Sequence, residues 1–349
     1  MIRSHCRRLL MVMALACFGG AIAPAQAQTQ IGVSYQPALY WSLPYFIASE
    51  KGWWKEMGLQ PNFSTFPAGA PQVAAAPSKS WDVGGAGSAP AVLGAARFSI
   101  LTIGITNDES DANVVMARAQ EAPAILKDPA GLKGKQILLS TNSTGEYAAL
   151  ACLHKWGLQR TDMQVVNLQQ AQIISAFSSG NGVLAGVWAP NDYTLEEKSG
   201  AKIICTGKTA GAIIPGVLFV RAEYAQEHPD LVAKYLAVYL HAVAWEKAHR
   251  KETIDLMRRF YQQGGVNIDD KYLAQEIDTR PTFTLGEQLE IMDRSKGPSK
   301  FDQWMTKLGD YLKSTGTISA MPDVKSFITD EYMRKVAADP KLKAFADAK

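Results

Sequence analysis

Twice along this 349-residue chain, short β-rich runs alternate with helix-like segments, and the pattern begins afresh part-way through. The first series reads "IGVSY" (Ile31 to Tyr35), "LPYFIASEKGWW", "LQPNFSTF", "PQVAAAPSKS", "DVGGAG", "PAVLGAAR" and "FSILTIGITN". The second opens at "LKGKQILLS" and continues through "GEYAALACLHKWG", "MQVVNL", "AQIISAFSSG", "VLAGVWAP" and "AKIICTG". Strands alternating with helices of this length predict mostly parallel sheets flanked by helices on both faces. Two such series predict two α/β lobes, and a mature chain of about 320 residues is more than one core comfortably fills.

After "IPGVLFV" (Ile214 to Val220) the pattern turns helical almost to the end. Leu231, Tyr235, Val238 and Ala242 recur at helical spacing, which predicts an amphipathic helix packed on one lobe. The chain passes between the units near Asp108 to Arg118 and again near Lys208 to Arg221. The expected division is therefore 28–112 plus 222–349 for lobe I and 113–221 for lobe II, joined by a two-strand hinge. Ligands at such an interface are captured by closure.

Arg3, Arg7 and Arg8 precede an apolar run from Leu9 to Ile22 and an A-x-A sequence at Ala25-Gln26-Ala27. That is the pattern of a secretory signal, residues 1–27, cleaved after Ala27 to leave Gln28 first and the protein in the periplasm. The apolar run is short for a membrane anchor, which needs about 20 residues. Cys17 lacks the leucine three residues earlier that a lipoprotein site would carry. Losing the leader takes three arginines from the 36 basic residues and nothing from the 33 acidic ones, so the mature chain is neutral. Without Lys/Arg blocks it carries no electrostatic footprint for nucleic acid. Only Cys152 and Cys205 remain, in neither a CxxC nor a Cys/His metal spacing, and either a disulfide or two buried thiols is compatible with an oxidising compartment.

The stretch "SWDVGGAGSAPAVLGAAR" (Ser80 to Arg97) has the look of a phosphate cradle. A Walker loop needs GxxxxGK followed by Ser or Thr, and this loop contains no lysine; a dinucleotide fingerprint needs GxGxxG, and here Pro90 interrupts it. What remains is a strand ending in glycines, with Ser88 opening a helix whose free N–H groups and dipole favour an anion or polar ligand. The plainer alternative is a strand-to-helix turn with Ser88 as N-cap.

Four segments, "IGVSYQPALYWSLPYFIASEKGWWKEMGL", "WDVGGAGSAPAVLGA", "LKGKQILLSTNSTGEYAALACLHKWGL" and "GVWAPNDYTLEEKSGAKII", resemble in their order and spacing the solute-binding proteins of the nitrate, sulfonate and taurine class of ABC importers. The resemblance implies a two-lobed type II periplasmic binding protein fold, no catalytic activity, and delivery of a small solute to an inner-membrane permease driven by an ATPase. It carries a ligand-contact role onto Ser88, Trp188 and Asp192.

In such a fold ligands lie between the lobes at the C-terminal ends of parallel strands. After the first strand, Gln36, Tyr40 and Trp41 offer an amide and two aromatic faces, unless the two rings only cap the core. After the second, Ala68 and Gly69 leave the backbone bare. Gly87 and Ser88 follow the third. In the second unit, Asn142, Ser143 and Thr144 stand at a helix start, with Ser143 and Glu146 at capping-box spacing. Trp188 and Asp192 complete the set; Asp192 is either a solvated turn residue or an acceptor for a ligand amine.

No arginine occurs in these loops, so an anionic head must be held by helix N-termini and neutral donors. Tyr40, Trp41 and Trp188 offer wide apolar faces that a bare ion such as nitrate would leave unused. The expected ligand is a small organic anion or zwitterion bearing one sulfonate or carboxylate, taken up by a monomer with no cofactor and no metal. The enzymatic alternative, a pyrimidine-precursor synthase of the thiamine pathway, depends on a cysteine-rich active segment, for which two distant cysteines are too few. His154, His241 and His249 lie on predicted helices and His228 precedes a proline, with no serine or cysteine elbow near them.

Overall fold

The computed structural model describes residues 28–349, and the leader assigned to residues 1–27 lies outside them. The ten strands are β1 (Thr29–Tyr35), β2 (Leu59–Thr65), β3 (Val83–Gly87), β4 (Ile100–Asp108), β5 (Asn113–Arg118), β6 (Gln136–Leu139), β7 (Gln164–Asn167), β8 (Leu184–Trp188), β9 (Ala201–Thr206) and β10 (Pro215–Arg221). They form two five-stranded sheets with the same plan, β2-β1-β3-β10-β4 and β7-β6-β8-β5-β9.

The first three strands of each sheet are parallel neighbours, as helical crossovers require. The fourth runs antiparallel to both of its neighbours. In each sheet this exception is the strand that has just arrived from the other sheet: β5 follows β4, and β10 follows β9. A strand entering without a crossover helix has no means of running parallel to its neighbour. Flanked on both sides, β10 is buried at every residue, which explains its continuous apolar run "GVLFV".

The two connections between the sheets are hydrogen-bonded to each other. Glu109 N donates to Ile214 O at 2.7 Å, Lys208 N to Ser110 O at 2.9 Å, and Gly207 N to Asn113 O at 3.0 Å. They form one paired hinge instead of two independent links.

Helix Pro229–Ala248 contains the predicted periodic positions but is buried on more than one face. It lies among helices Leu43–Lys51, Glu331–Ala338 and Pro340–Ala346, so its apolar surface is wider than a one-sided stripe. The C-terminal helices also reach the second sheet's helices. Tyr272 stacks on Tyr193 with ring centres 4.3 Å apart, and the Tyr193 hydroxyl donates to Glu276 at 2.7 Å. Arg280, 1 % exposed, pairs with Glu276 at 3.3 Å and donates from Nη2 to Ala189 O at 3.0 Å. On another side, Tyr311 of helix Lys300–Ser314 meets Tyr147 with ring centres 4.9 Å apart. Among the described residues no helix is long and apolar enough to cross a membrane.

Two buried carboxyl groups beside these elements lack full hydrogen bonding. Asp192 leaves Oδ1 without a partner, and Glu246 leaves both oxygens so. Burial, with the negative charge of Glu276 added, pushes Asp192 up to about 8; burial does the same to Glu246. Cys152, on helix Thr144–Lys155, and Cys205, on β9, are joined in a disulfide across 53 residues, which decides a pairing that spacing left open.

Replacing both cysteines with serine should lower the free energy of unfolding by about 2–4 kcal/mol, the scale set by closing a loop of this length. Urea midpoints with and without reductant measure it, and identical midpoints would contradict the cross-link. A second expectation concerns pH. With their folded values raised from 3.8 and 4.5, Asp192 and Glu246 contribute stability that is present below about pH 4 and lost as pH rises through about 8. Glu246→Gln should therefore gain on the native chain by up to about 1.4 kcal/mol per pH unit across that window and level off above it. A difference that does not vary with pH would be contrary evidence.

Candidate functional site

The strand ends of both sheets point at one small cavity of about 30 Å³, lined by Gln36, Leu39, Trp41, Gly69, Gly87, Pro90, Glu109, Asn113, Ser143, Thr144 and Trp188. From the candidate set, Gln36, Trp41, Gly69, Gly87, Ser143, Thr144 and Trp188 are thus brought together. Ser88 is wholly buried directly behind Gly87. Tyr40, Ala68, Asn142 and Asp192 lie outside the lining.

Each lining group is held by its own support. Gln36 Nε2 donates to Gln72 Oε1 at 2.6 Å, and Gln72 Nε2 in turn donates to Ser34 Oγ and Gly85 O, tying the loop after β1 to β3. Trp41 is 1 % exposed, its backbone carbonyl accepts from the Tyr239 hydroxyl at 2.7 Å, and its ring lies 2.6 Å from where a side chain on Gly85 would begin. A larger residue at position 85 would displace the indole. The neighbouring Tyr40 turns instead toward Leu43, Ile47 and Phe260, in a separate apolar cluster. Ala68 is the N-cap of helix Gly69–Ala74, whose first residue reaches the lining.

Two helices begin at the cavity, one from each sheet. Helix Ser88–Phe98 follows β3, with Gly87 at the N-cap; Ser88 is its first residue, not its cap. No side chain caps this end, and Ser88 Oγ is buried without a hydrogen-bond partner. Helix Thr144–Lys155 begins after Ser143, whose Oγ accepts from Glu146 N at 3.1 Å and donates to Ser140 O at 2.6 Å. Ser143 is therefore committed to capping. Glu146 returns its carboxylate to Asn142 N at 2.8 Å, one residue before the position a capping box would use. Asn142, in the left-handed region at φ 59°, shapes that turn from outside the cavity. Thr144 makes no side-chain hydrogen bond, which leaves its hydroxyl for the cavity.

The two helix starts are in contact. Thr144 Oγ1 lies 2.6 Å from the position of a Cβ on Gly87, so only glycine admits this approach. Trp188 closes the second helix from the side, its ring 2.9 Å from the corresponding position on Gly145. Both helix dipoles thus present their positive ends to the same small volume.

Sequence reasoning missed Leu39, Pro90, Glu109 and Asn113. Glu109 and Asn113 sit in and beside the hinge, and Asn113 faces Trp188 in the β5–β8 register. Asn113 Nδ2 donates to Glu109 O at 3.0 Å, and Asn113 Oδ1 is buried with no partner. Glu109 is the single ionisable group of the lining, 6 % exposed, and burial raises its carboxyl above the usual range while the charge of Arg280 opposes the shift. Asp192 points into the Glu276–Arg280 cluster, where it is 3 % exposed. Among the described residues no group of His, Cys, Asp and Glu is placed to hold a metal ion.

Residues 41–253 match the family described as NMT1/THI5 like. A Bacillus subtilis (strain 168) protein, "Putative aliphatic sulfonates-binding protein", is 30 % identical over 321 residues, covering 90 % of each chain. The "Taurine-binding periplasmic protein" of Escherichia coli (strain K12) is 31 % identical over 187 residues, 52 % of this chain and 56 % of that one. The solved structure of the alkanesulfonate-binding protein SsuA from Xanthomonas axonopodis pv. citri, bound to MOPS, shares the fold with a TM-score of 0.71 at 20 % identity, over 87 % of this chain and 99 % of that chain. With a match across more than half its length and a relative of that identity over nearly all of it, the chain belongs to the NMT1/THI5-like family.

Proposed function

We propose that this protein is the periplasmic solute-binding component of an ABC importer, capturing a small organic anion or zwitterion between two lobes and delivering it to a permease and its ATPase. In this reading the leader is removed after Ala27, the mature chain acts as a monomer, and the lobes divide as 28–112 plus 222–349 and 113–221. One observation carries the proposal: two helix N-termini, one from each sheet, meet at a cavity whose lining holds the free hydroxyl of Thr144 and no cationic side chain, with the unpartnered Ser88 hydroxyl buried just behind it. Such ends bind anions through free N–H groups and the dipole, and the low-dielectric setting strengthens the attraction.

The names of two relatives agree in kind, "Putative aliphatic sulfonates-binding protein" and "Taurine-binding periplasmic protein". A binding role also fits the absence of any histidine or cysteine from the lining. His241 is stacked on Trp53 at 3.9 Å, His249 is bonded to Trp245 O, and both described cysteines are spent in the disulfide. The cavity as it stands has room for about two water molecules, so an organic body enters only when the sheets part about the hinge.

Ser88 and Trp188 give the test. Trp188→Ala should weaken binding of ethanesulfonate or taurine by roughly 1–3 kcal/mol, the scale of one buried aromatic face. Ser88→Ala should cost about 1 kcal/mol or somewhat more of binding. It should leave the ligand-free protein as stable as before or more so, because it removes a buried hydroxyl that has no partner. Calorimetry and thermal melts on the two variants decide it. Unchanged affinity in both, or binding of nitrate with no organic acid bound, would defeat the reading.

A further inference from the structure

We infer that Glu109 and Asn113 form an ammonium subsite, and that the ligand is a short zwitterion carrying a primary amine a few bonds from its acid head. This rests on the reading of the cavity as a site for an organic acid, and it narrows that reading from two chemical classes to one.

The lining separates into two kinds of chemistry. On one side are donors: the uncapped start of helix Ser88–Phe98 at Gly87, and Thr144, with the unpartnered Ser88 hydroxyl buried just behind them. On the other are acceptors. The Glu109 carboxyl, hydrogen-bonded by the Asn113 side chain, forms no ion pair among the described residues; Arg280, whose charge acts on it, is engaged with Glu276 and Ala189 O. Asn113 is oriented by the bond from its Nδ2 to Glu109 O, which turns Oδ1 toward no protein donor at all. A carboxylate without a salt-bridge partner and an amide oxygen without any donor suit a group with several N–H donors and a positive charge.

The register places the two sides one strand apart. Gly216 lies directly opposite Gly87 in the antiparallel β3–β10 pair, so side-chain positions on the two residues share a face about 5 Å apart. The Glu109 carboxyl carbon lies 3.5 Å from the Gly216 position, and Thr144 Oγ1 lies 2.6 Å from the Gly87 position. Acceptor and donor groups are therefore spaced for one short molecule with an ammonium at one end and a sulfonate or carboxylate at the other.

The charge balance leads to the same conclusion. A ligand with only an acid head would lie beside a buried carboxylate that has no ion-pair partner of its own, and each anion would raise the cost of the other. A zwitterion supplies the missing cation to Glu109 and the missing anion to the helix starts at once.

Calorimetry with four probes tests this: taurine and ethanesulfonate, β-alanine and propionate, each pair differing by the amine and the two pairs by the acid head. The native protein should bind the amine-bearing member of at least one pair about tenfold more tightly or better, as expected for a desolvated charge pair. Glu109→Gln should abolish that preference while binding ethanesulfonate or propionate at least as well as the native protein does, a gain that misfolding cannot produce. Glu109→Asp, which keeps the charge, should keep the preference. Equal binding of amine and deaminated probes by the native protein overturns the assignment and leaves the organic-acid reading standing, as does a preference that survives in Glu109→Gln. Binding of none of the four overturns both. Where Glu109→Gln does not fold, the native protein's preference and its retention in Glu109→Asp decide.

Discussion

Two helices from different sheets start at the same point, and nothing but the missing side chain of Gly87 lets Thr144 come so close. Each helix start carries roughly half a positive charge from its aligned peptides. Brought together at one small volume, the two ends repel each other. In the proposed reading an anion between them would turn that repulsion into two attractions, so affinity for an anion and closure of the molecule would have one source. A ligand shifts a conformational equilibrium only by its differential contact with the two states, and here the difference is built into where the helices begin.

The remaining architecture holds that contact in register. The two connecting segments bond to each other, so that in the proposed closure the sheets would pivot about one joint. The antiparallel strands β5 and β10 carry Asn113 opposite Trp188 and Gly216 opposite Gly87, which fixes the acceptor side of the cavity against the donor side. The C-terminal helices add contacts across the junction through the Tyr193–Tyr272 stack and Arg280, at the cost of several buried titratable groups. The burial of Asp192 and Glu246 stores their protons at neutral pH, a feature of the junction that the cavity itself does not use.

Much of this was legible from local pattern. Alternating runs gave both sheets, and strand ends with glycine, serine or aromatic residues pointed to Gln36, Trp41, Gly87, Ser88, Thr144 and Trp188. What escaped was non-local. Glu109 and Asn113 become lining residues only because β5 and β10 insert as the antiparallel fourth strand of each sheet, and no periodicity within either segment reveals that. Asp192 reads as a loop carboxylate, yet it lies in the first turn of helix Asn191–Ser199 against Glu276, a partner 84 positions away. Tyr40 and Trp41 are adjacent and look equivalent; the short helical turn at Tyr40–Ser42 sends one ring toward the cavity and the other into the core. The helix Pro229–Ala248 shows a clean one-sided stripe in sequence, but three neighbouring helices bury its other faces as well.

The central claim is that an organic acid is held by closing two lobes on it. Small-angle scattering of the mature chain, alone and saturated with whichever of taurine and ethanesulfonate binds in calorimetry, measures this most directly. The account predicts that the radius of gyration falls on saturation, and that Gly87→Val, whose side chain would collide with Thr144, fails to contract. A native protein that binds its ligand with no change in radius would contradict it.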